Sequence, residues 1–174
     1  MGQEPAPSGD PGAALLEAYD GALPRVYGYL LSRCGQQALA EDLAAETFLA
    51  AVDAVRRADP PPVSTAWLVG VARHKLVDHW RRQGREERGL RALNPDLVDE
   101  DPWEGRIDAL RARAVLEEMA PHHRAALTLR YLDDLPVPDV AALLQRTVHA
   151  TEALLGRARA AFRRSYADKE DPHG

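Results

Sequence analysis

Residues 138–166 read PDVAALLQRTVHATEALLGRARAAFRRSY. Pro138 can start a short helix through Leu144, because a first-turn proline forfeits no intrahelical hydrogen bond. Gln145-Arg146-Thr147 is a tight connection, and the Thr147 hydroxyl can cap a last helix from Val148 to about Tyr166. A short helix, a three-residue turn and a longer, arginine-rich helix form the pattern of a helix-turn-helix. The second helix of such a unit must pack one side on its neighbours and offer the other to a major groove. Val148, Leu155, Ala158 and Phe162 can supply the packing side. His149, Ala150, Glu152, Ala153 and Arg157 can face outward, and Arg157 and Arg163 are placed to reach phosphates. A structural hairpin with a basic face has the same pattern, so this stretch by itself leaves both readings open.

Working back from it, Ala125, Ala126, Leu127, Leu129, Tyr131 and Leu132 continue a helix that Pro121 can start and the Asp133-Asp134 turn ends. Ile107, Leu110, Ala114, Val115 and Met119 make a further apolar stripe. Residues 89–105 break the helical pattern with Asn94-Pro95-Asp96 and Asp101-Pro102-Trp103, and read as an acidic interdomain linker. Upstream of the linker, residues 66–88 predict a helix capped by Ser64 or Thr65, with Val69, Ala72, Leu76 and Trp80 as its stripe. Asp59-Pro60-Pro61-Pro62 ends a helix over 38–57, whose apolar positions are Leu39, Leu43, Phe48, Val52 and Val55. A first helical stretch starts at Ala13 and carries Leu15, Leu16, Tyr19, Leu23, Val26, Tyr27, Leu30 and Leu31. Pro24 marks a break or a first-turn position within it. Residues 1–12, with three prolines and three glycines, are expected to be a disordered tail, and 167–174 a fraying one.

Composition narrows the function. Among 174 residues, 22 Lys and Arg stand against 27 Asp and Glu, for a formal net charge of −5. A protein that coats nucleic acid by overall charge is excluded. The charge is unevenly spread, however. Residues 66–91 hold seven bases against three acids, and residues 146–164 hold five arginines against Glu152. The intervening 92–118 hold eight acids against three bases. Two basic patches can therefore contact phosphates locally while the whole chain stays acidic. One cysteine, Cys34, allows no intramolecular disulfide and reads as a small buried residue. No secretory signal and no apolar run of membrane-spanning length is evident, so a cytoplasmic location is expected.

Three stretches taken together resemble a family. They are AEDLAAETFLAAV (40–52), WLVGVARHKLVDHWRR (67–82) and LEEMAPHHRAALTLRYLDDL (116–135), the last leading into the helix-turn-helix. In this order they resemble the extracytoplasmic-function sigma factors, the smallest sigma-70-type factors of bacterial RNA polymerase, over about residues 13–166. The resemblance implies an all-α protein of two small helical domains joined by an extended acidic linker. These are a sigma-2-like domain at 13–88, the linker at 89–105, and a sigma-4-like helix-turn-helix domain at 106–166. It implies core RNA polymerase as partner, through its β′ coiled coil and β flap, together with promoter DNA and a separate anti-sigma factor. No cofactor, no catalytic residue and no membrane insertion are implied.

The resemblance also places roles. Glu41, Asp42, Glu46 and Phe48 would meet the β′ coiled coil. Ser64 and Thr65, in the loop that captures a flipped base, would join Arg73, His74, Lys75, Asp78, His79, Arg81 and Arg82 at the −10 element. The linker would thread toward the polymerase active centre. Arg146, Thr147, His149, Ala150, Glu152, Ala153, Arg157 and Arg163 would read the −35 element in duplex DNA. Two departures stand out: Gln145 occupies a position where relatives often have glycine, and Glu152-Ala153-Leu154 replaces a commonly basic or polar trio. Glu152 can accept from a cytosine amino group but repels phosphate. Two other readings of the residues stay open: a polymerase-independent helix-turn-helix regulator, and a purely interacting helical protein. His74 with His79, and His122 with His123, lack a supporting Cys or carboxylate at zinc-ligand spacing. No glycine-rich phosphate loop or nucleophile elbow appears, so an enzyme is not expected.

Overall fold

A computed structural model describes residues 9–90 and 108–169, and every regular element among them is helical. The helices are α1 (Pro11–Cys34), α2 (Gln37–Val55), α3 (Thr65–Leu90), α4 (Ala109–Glu118), α5 (Pro121–Leu127), α6 (Val137–Leu144) and α7 (Val148–Asp168). A π-helical segment, Thr128–Leu132, follows α5 directly. Of the acidic linker, residues 91–105 lie outside the described residues, as do 1–8 and Ile107. Two compact units meet between Leu76 and Val77, inside α3.

The first unit comprises α1, α2 and α3 up to Leu76. Asp10 caps α1, accepting from the Gly12 N–H at 2.9 Å, and Pro11 takes the first turn. The helix therefore begins inside the segment expected to be a tail, because Asp-Pro is itself a start signal. Pro24 neither breaks α1 nor starts a new helix. Asp20, Gly21 and Pro24 all lie on the exposed side, so the carbonyl that loses its partner at Asp20 is open to water. Gly35, at φ 71°, closes α1 through its N–H to Leu31 O at 2.9 Å. Only Gln36 then separates it from α2. The core joins Leu15, Ala22, Val26, Leu30 and Cys34 to Ala40, Leu43, Ala44, Thr47, Ala51 and Val55, with Leu68, Ala72 and Leu76 from α3. Several of these are alanines, which permit close helix approach. Thr47 is buried without penalty because its hydroxyl donates to Leu43 O at 2.7 Å.

Several stripe assignments shift. Leu16 is 78% exposed and Tyr19 41%. On α3 the buried row starts at Leu68, not Val69, and runs through Ala72, Leu76 and Trp80. Val69, one residue on from Leu68, is turned by about 100° and is only half-buried.

The second unit comprises the rest of α3 and α4–α7. Asp108 caps α4, accepting from the Arg111 N–H at 2.9 Å, and donates its own N–H to Tyr166 Oη at 2.7 Å. The Arg111 guanidinium lies 3.9 Å from the centroid of the Tyr166 ring, fixing α4 against α7. Leu110, assigned to the α4 stripe, is 81% exposed, and Val115 is the buried residue of that helix. Pro121 takes the first turn of α5, as its position predicts. Tyr131 and Leu132, in the π-helical segment, are exposed rather than packed inside. Ala167 and Asp168 extend α7 instead of fraying, and next to them Lys169 Nζ lies 2.6 Å from Glu118 Oε1.

Candidate nucleic-acid interface

The helix-turn-helix is built from α6 and α7. Pro138 sits in the first turn of α6. Gln145 ends it at φ 52°, and the Arg146 N–H donates to Ala141 O at 2.9 Å. Thr147 Oγ1 then accepts from the Ala150 N–H at 3.1 Å, capping α7. The packing side of α7 is Thr151, Leu154, Leu155 and Ala158. Val148, assigned to that side, is exposed, and Leu154, counted in the departing trio, is buried. Thr151 takes the place of Val148 in the row, because its hydroxyl donates back to Thr147 O at 2.9 Å. Packing on this row leaves His149 and Glu152 exposed, with Ala150, Ala153 and Arg157 at the margin.

Arg146, in the turn, is half-buried. Its pKa is lowered by burial first, then by the charges of Arg88 and Arg157. Arg88 and Arg157 thus both act electrostatically on Arg146. Arg163 is set apart from them. It lines an apolar groove with Ala112, Leu116, Leu127, Tyr131, Leu132 and Phe162.

On α3, Ser64 Oγ accepts from the Trp67 N–H at 3.1 Å, so the loop hydroxyl serves as the helix cap. Its proton stays available to donate. The sequence candidates divide by face. His74, Asp78 and Arg82 are exposed at four-residue steps, forming one outward row. Arg73, Lys75, His79 and Arg81 flank it, half-buried. Arg73 reaches over the Tyr29 ring at 5.9 Å, and Arg81 lies 3.1 Å from Asp78 Oδ1. Thr65 is half-buried in the first turn. Trp80 is 1% exposed and belongs to the core, whereas Trp67 is half-buried.

On α2, Glu41 and Asp42 are exposed, and Gln37 Nε2 donates to Glu41 Oε1 at 2.8 Å. Glu46 lies 3.9 Å from Lys75, so part of its charge is answered within the chain. Phe48 stands edge-on to Tyr19 with ring centroids 4.8 Å apart. Sequence reasoning missed Leu49, 66% exposed. It is the residue after Phe48 and lies off the buried row 40, 43, 44, 47, 51, 55. The outer face of α1 and α2 is therefore acidic and apolar together. No group of three or more His, Cys, Asp or Glu able to hold a metal occurs among the described residues, and no helix there is long and apolar enough to cross a membrane.

Comparison with known proteins adds the family context. The sigma-70 region 2 family matches residues 18–86, and the sigma-70, region 4 family matches 109–162. The ECF RNA polymerase sigma factor BldN of Streptomyces coelicolor is 30% identical over 151 residues, covering 83% of this chain. The match spans only 57% of BldN, so this chain corresponds to little more than half of that relative. The ECF RNA polymerase sigma factor SigC of Mycobacterium tuberculosis is 32% identical over 125 residues, or 71% of this chain and 68% of SigC. Among solved structures, the sigma factor RpoE of Bartonella quintana, crystallised with the anti-sigma factor NepR, superposes with a TM-score of 0.53. It is 21% identical over 90% of this chain and 96% of that one, a likeness of fold.

Proposed function

Because the chain belongs to the extracytoplasmic-function sigma factors of the sigma-70 family, we propose that it is a promoter-specificity subunit of RNA polymerase. It binds core polymerase, recognises −10 and −35 elements and initiates transcription of a particular regulon. The observation that carries this reading is the outer face of α7. A capped first turn presents His149 and Glu152 to solvent, while Thr151, Leu154, Leu155 and Ala158 hold the opposite face. A helix so fixed can present its N-terminal side chains to base edges in a major groove.

The remaining assignments follow the same surface. The acidic and apolar face of Glu41, Asp42, Glu46 and Phe48 meets the β′ coiled coil. The outward row His74, Asp78 and Arg82, with Ser64, Thr65, Arg73, Lys75, His79 and Arg81, opens and reads the −10 element. Arg146, Thr147, Ala150, Ala153, Arg157 and Arg163 complete the −35 set. The apolar groove beside Arg163 receives the β flap. The sigma-2-like domain is 13–88 and the sigma-4-like domain 106–166, with the acidic linker between them. A separate anti-sigma factor holds the protein inactive in the cytoplasm by covering these surfaces.

Run-off transcription on host genomic fragments, with purified core polymerase and with or without this chain, tests the reading. Discrete start sites that need the chain are the expected result. No start sites and no binding to core, together with an operator footprint made without polymerase, would replace it by a stand-alone helix-turn-helix regulator.

A further inference from the structure

The second unit holds a cleft of about 300 Å³ whose walls are cationic. Arg81, Arg85 and Arg88 line it from α3, Arg146 from the turn before α7, and His122 from α5. Trp80, Ala125, Leu144 and Leu154 provide an apolar floor, and Gly84 contributes no side chain. Arg157 lies close enough to act electrostatically on both His122 and Arg146. No carboxylate is among the described residues lining the cleft. Asp78, three residues before Arg81 on α3, is paired with it, and Glu86 and Glu87, on the same helix, are exposed.

The cationic groups are partly fixed in place. Arg81 donates to Asp78 Oδ1 at 3.1 Å and also to Gln145 Oε1. Arg88 Nε–H donates to Gly84 O at 2.9 Å, which uses one of its five donors. His122 feels the result, with a pKa pushed down to about 4 by burial first and then by His123, Arg88, Arg146 and Arg157. Like charges brought together over an apolar floor repel one another, and a bound anion would relieve that repulsion. Guanidinium groups set at several angles match the oxygens of phosphate groups.

We propose that this cleft binds a small oligophosphate, either pyrophosphate itself or the phosphate tail of a nucleoside di- or triphosphate. Its size favours a small ligand. A volume of this order is at the lower end for small-molecule sites, and a duplex cannot enter it. The ligand would occupy Arg81 and Arg146, which the proposed promoter contacts also use. That consequence rests on the sigma-factor reading, whereas the binding itself does not.

The test is isothermal titration of the full chain with pyrophosphate in EDTA at fixed ionic strength, beside the Arg85→Gln/Arg88→Gln double variant. Both arginines are exposed, so the variant should keep its helicity, which circular dichroism checks. The expected result is saturable one-to-one binding by the unaltered chain, weakened at least tenfold in the double variant. A parallel titration with nucleoside triphosphates identifies the source. Tighter binding than pyrophosphate assigns a nucleotide, and equal binding assigns the phosphate tail alone. Absence of saturable binding, or equal affinity in the double variant, overturns the site. Neither result bears on transcription, because no DNA or polymerase is present.

Discussion

Gln145 stands at φ 52°, ψ 50°, in the left-handed region that side chains other than glycine and asparagine seldom enter. It is held there because the turn into α7 must reverse within two residues, and its side chain gains Arg81 as a partner. A β-branched residue cannot relieve the clash in the same way. Gln145→Val should therefore lower stability by at least about 1 kcal/mol, whereas Gln145→Gly should leave the urea midpoint close to its original value. Equal loss in both variants would show that the Arg81 contact, not backbone strain, governs the position. A second residue, His122, gives the molecule a pH dependence. Its folded-state pKa of about 4 lies below the ordinary 6.5, so folding favours the neutral ring. That contribution is complete above pH 6.5 and is lost as pH falls toward 4, since the unfolded chain takes up its proton first. The cations facing it are His123, Arg88, Arg146 and Arg157. Between pH 7 and 5, His122→Gln should lose less stability than the unaltered protein; parallel urea curves at the two pH values would refute the assignment.

Among the elements, α7 shows what patterning reveals and what it hides. The turn, the Thr147 cap and the length of the helix were legible, because each depends on a local signal of one or two residues. The packing face was legible only in part. Counting apolar residues selects Val148 and passes over Thr151, yet Thr151 is fully buried and Val148 is not. The reason is general to this chain. Thr47 and Thr151 each satisfy their hydroxyl on the carbonyl four residues back, so both enter the core as small, nearly apolar groups. Pro24 hides in the opposite sense, as a breaker whose missing hydrogen bond falls on the wet side of α1. The face of α7 that remains outward carries a sharp expectation. Arg157→Ala should weaken binding across all −35 sequences and reduce the slope of log affinity against log salt by about 1. Glu152→Gln or His149→Ala should instead change the preferred sequence and leave that slope nearly unaltered. Binding selections on randomised −35 duplexes at two salt concentrations distinguish the two effects; unchanged base preference in both would remove α7 from the reading of sequence.

Across the whole molecule, a net charge of −5 coexists with local cationic surpluses, so binding must be argued from surfaces and not from totals. The same holds for apolar residues. A helical stripe read from sequence assigns every leucine to the core, because nothing local separates a leucine that packs inside from one kept for a partner. The structure separates them. Leu43 is buried in the first unit, while Leu49, six residues on in the same helix, is 66% exposed, as Leu16 and Tyr19 are on α1. In the second unit Tyr131 and Leu132 are exposed at the groove that Phe162 and Leu116 line. Exposed clusters of large apolar side chains mark docking surfaces more often than chance, and each unit carries one. Stability and association should therefore come apart on substitution. Leu43→Ala should cost about 2–5 kcal/mol through lost burial and a residual cavity. Leu49→Ser and Tyr131→Ser should shift the unfolding midpoint little, since both positions are already wet, yet each should weaken binding to core polymerase by about tenfold or more, as truncation at an interface centre does. Fluorescence anisotropy of the labelled chain against core polymerase, run beside thermal melts, reads both quantities. Full core affinity in Leu49→Ser would remove the α1–α2 face from the polymerase interface, and full affinity in Tyr131→Ser would do the same for the groove.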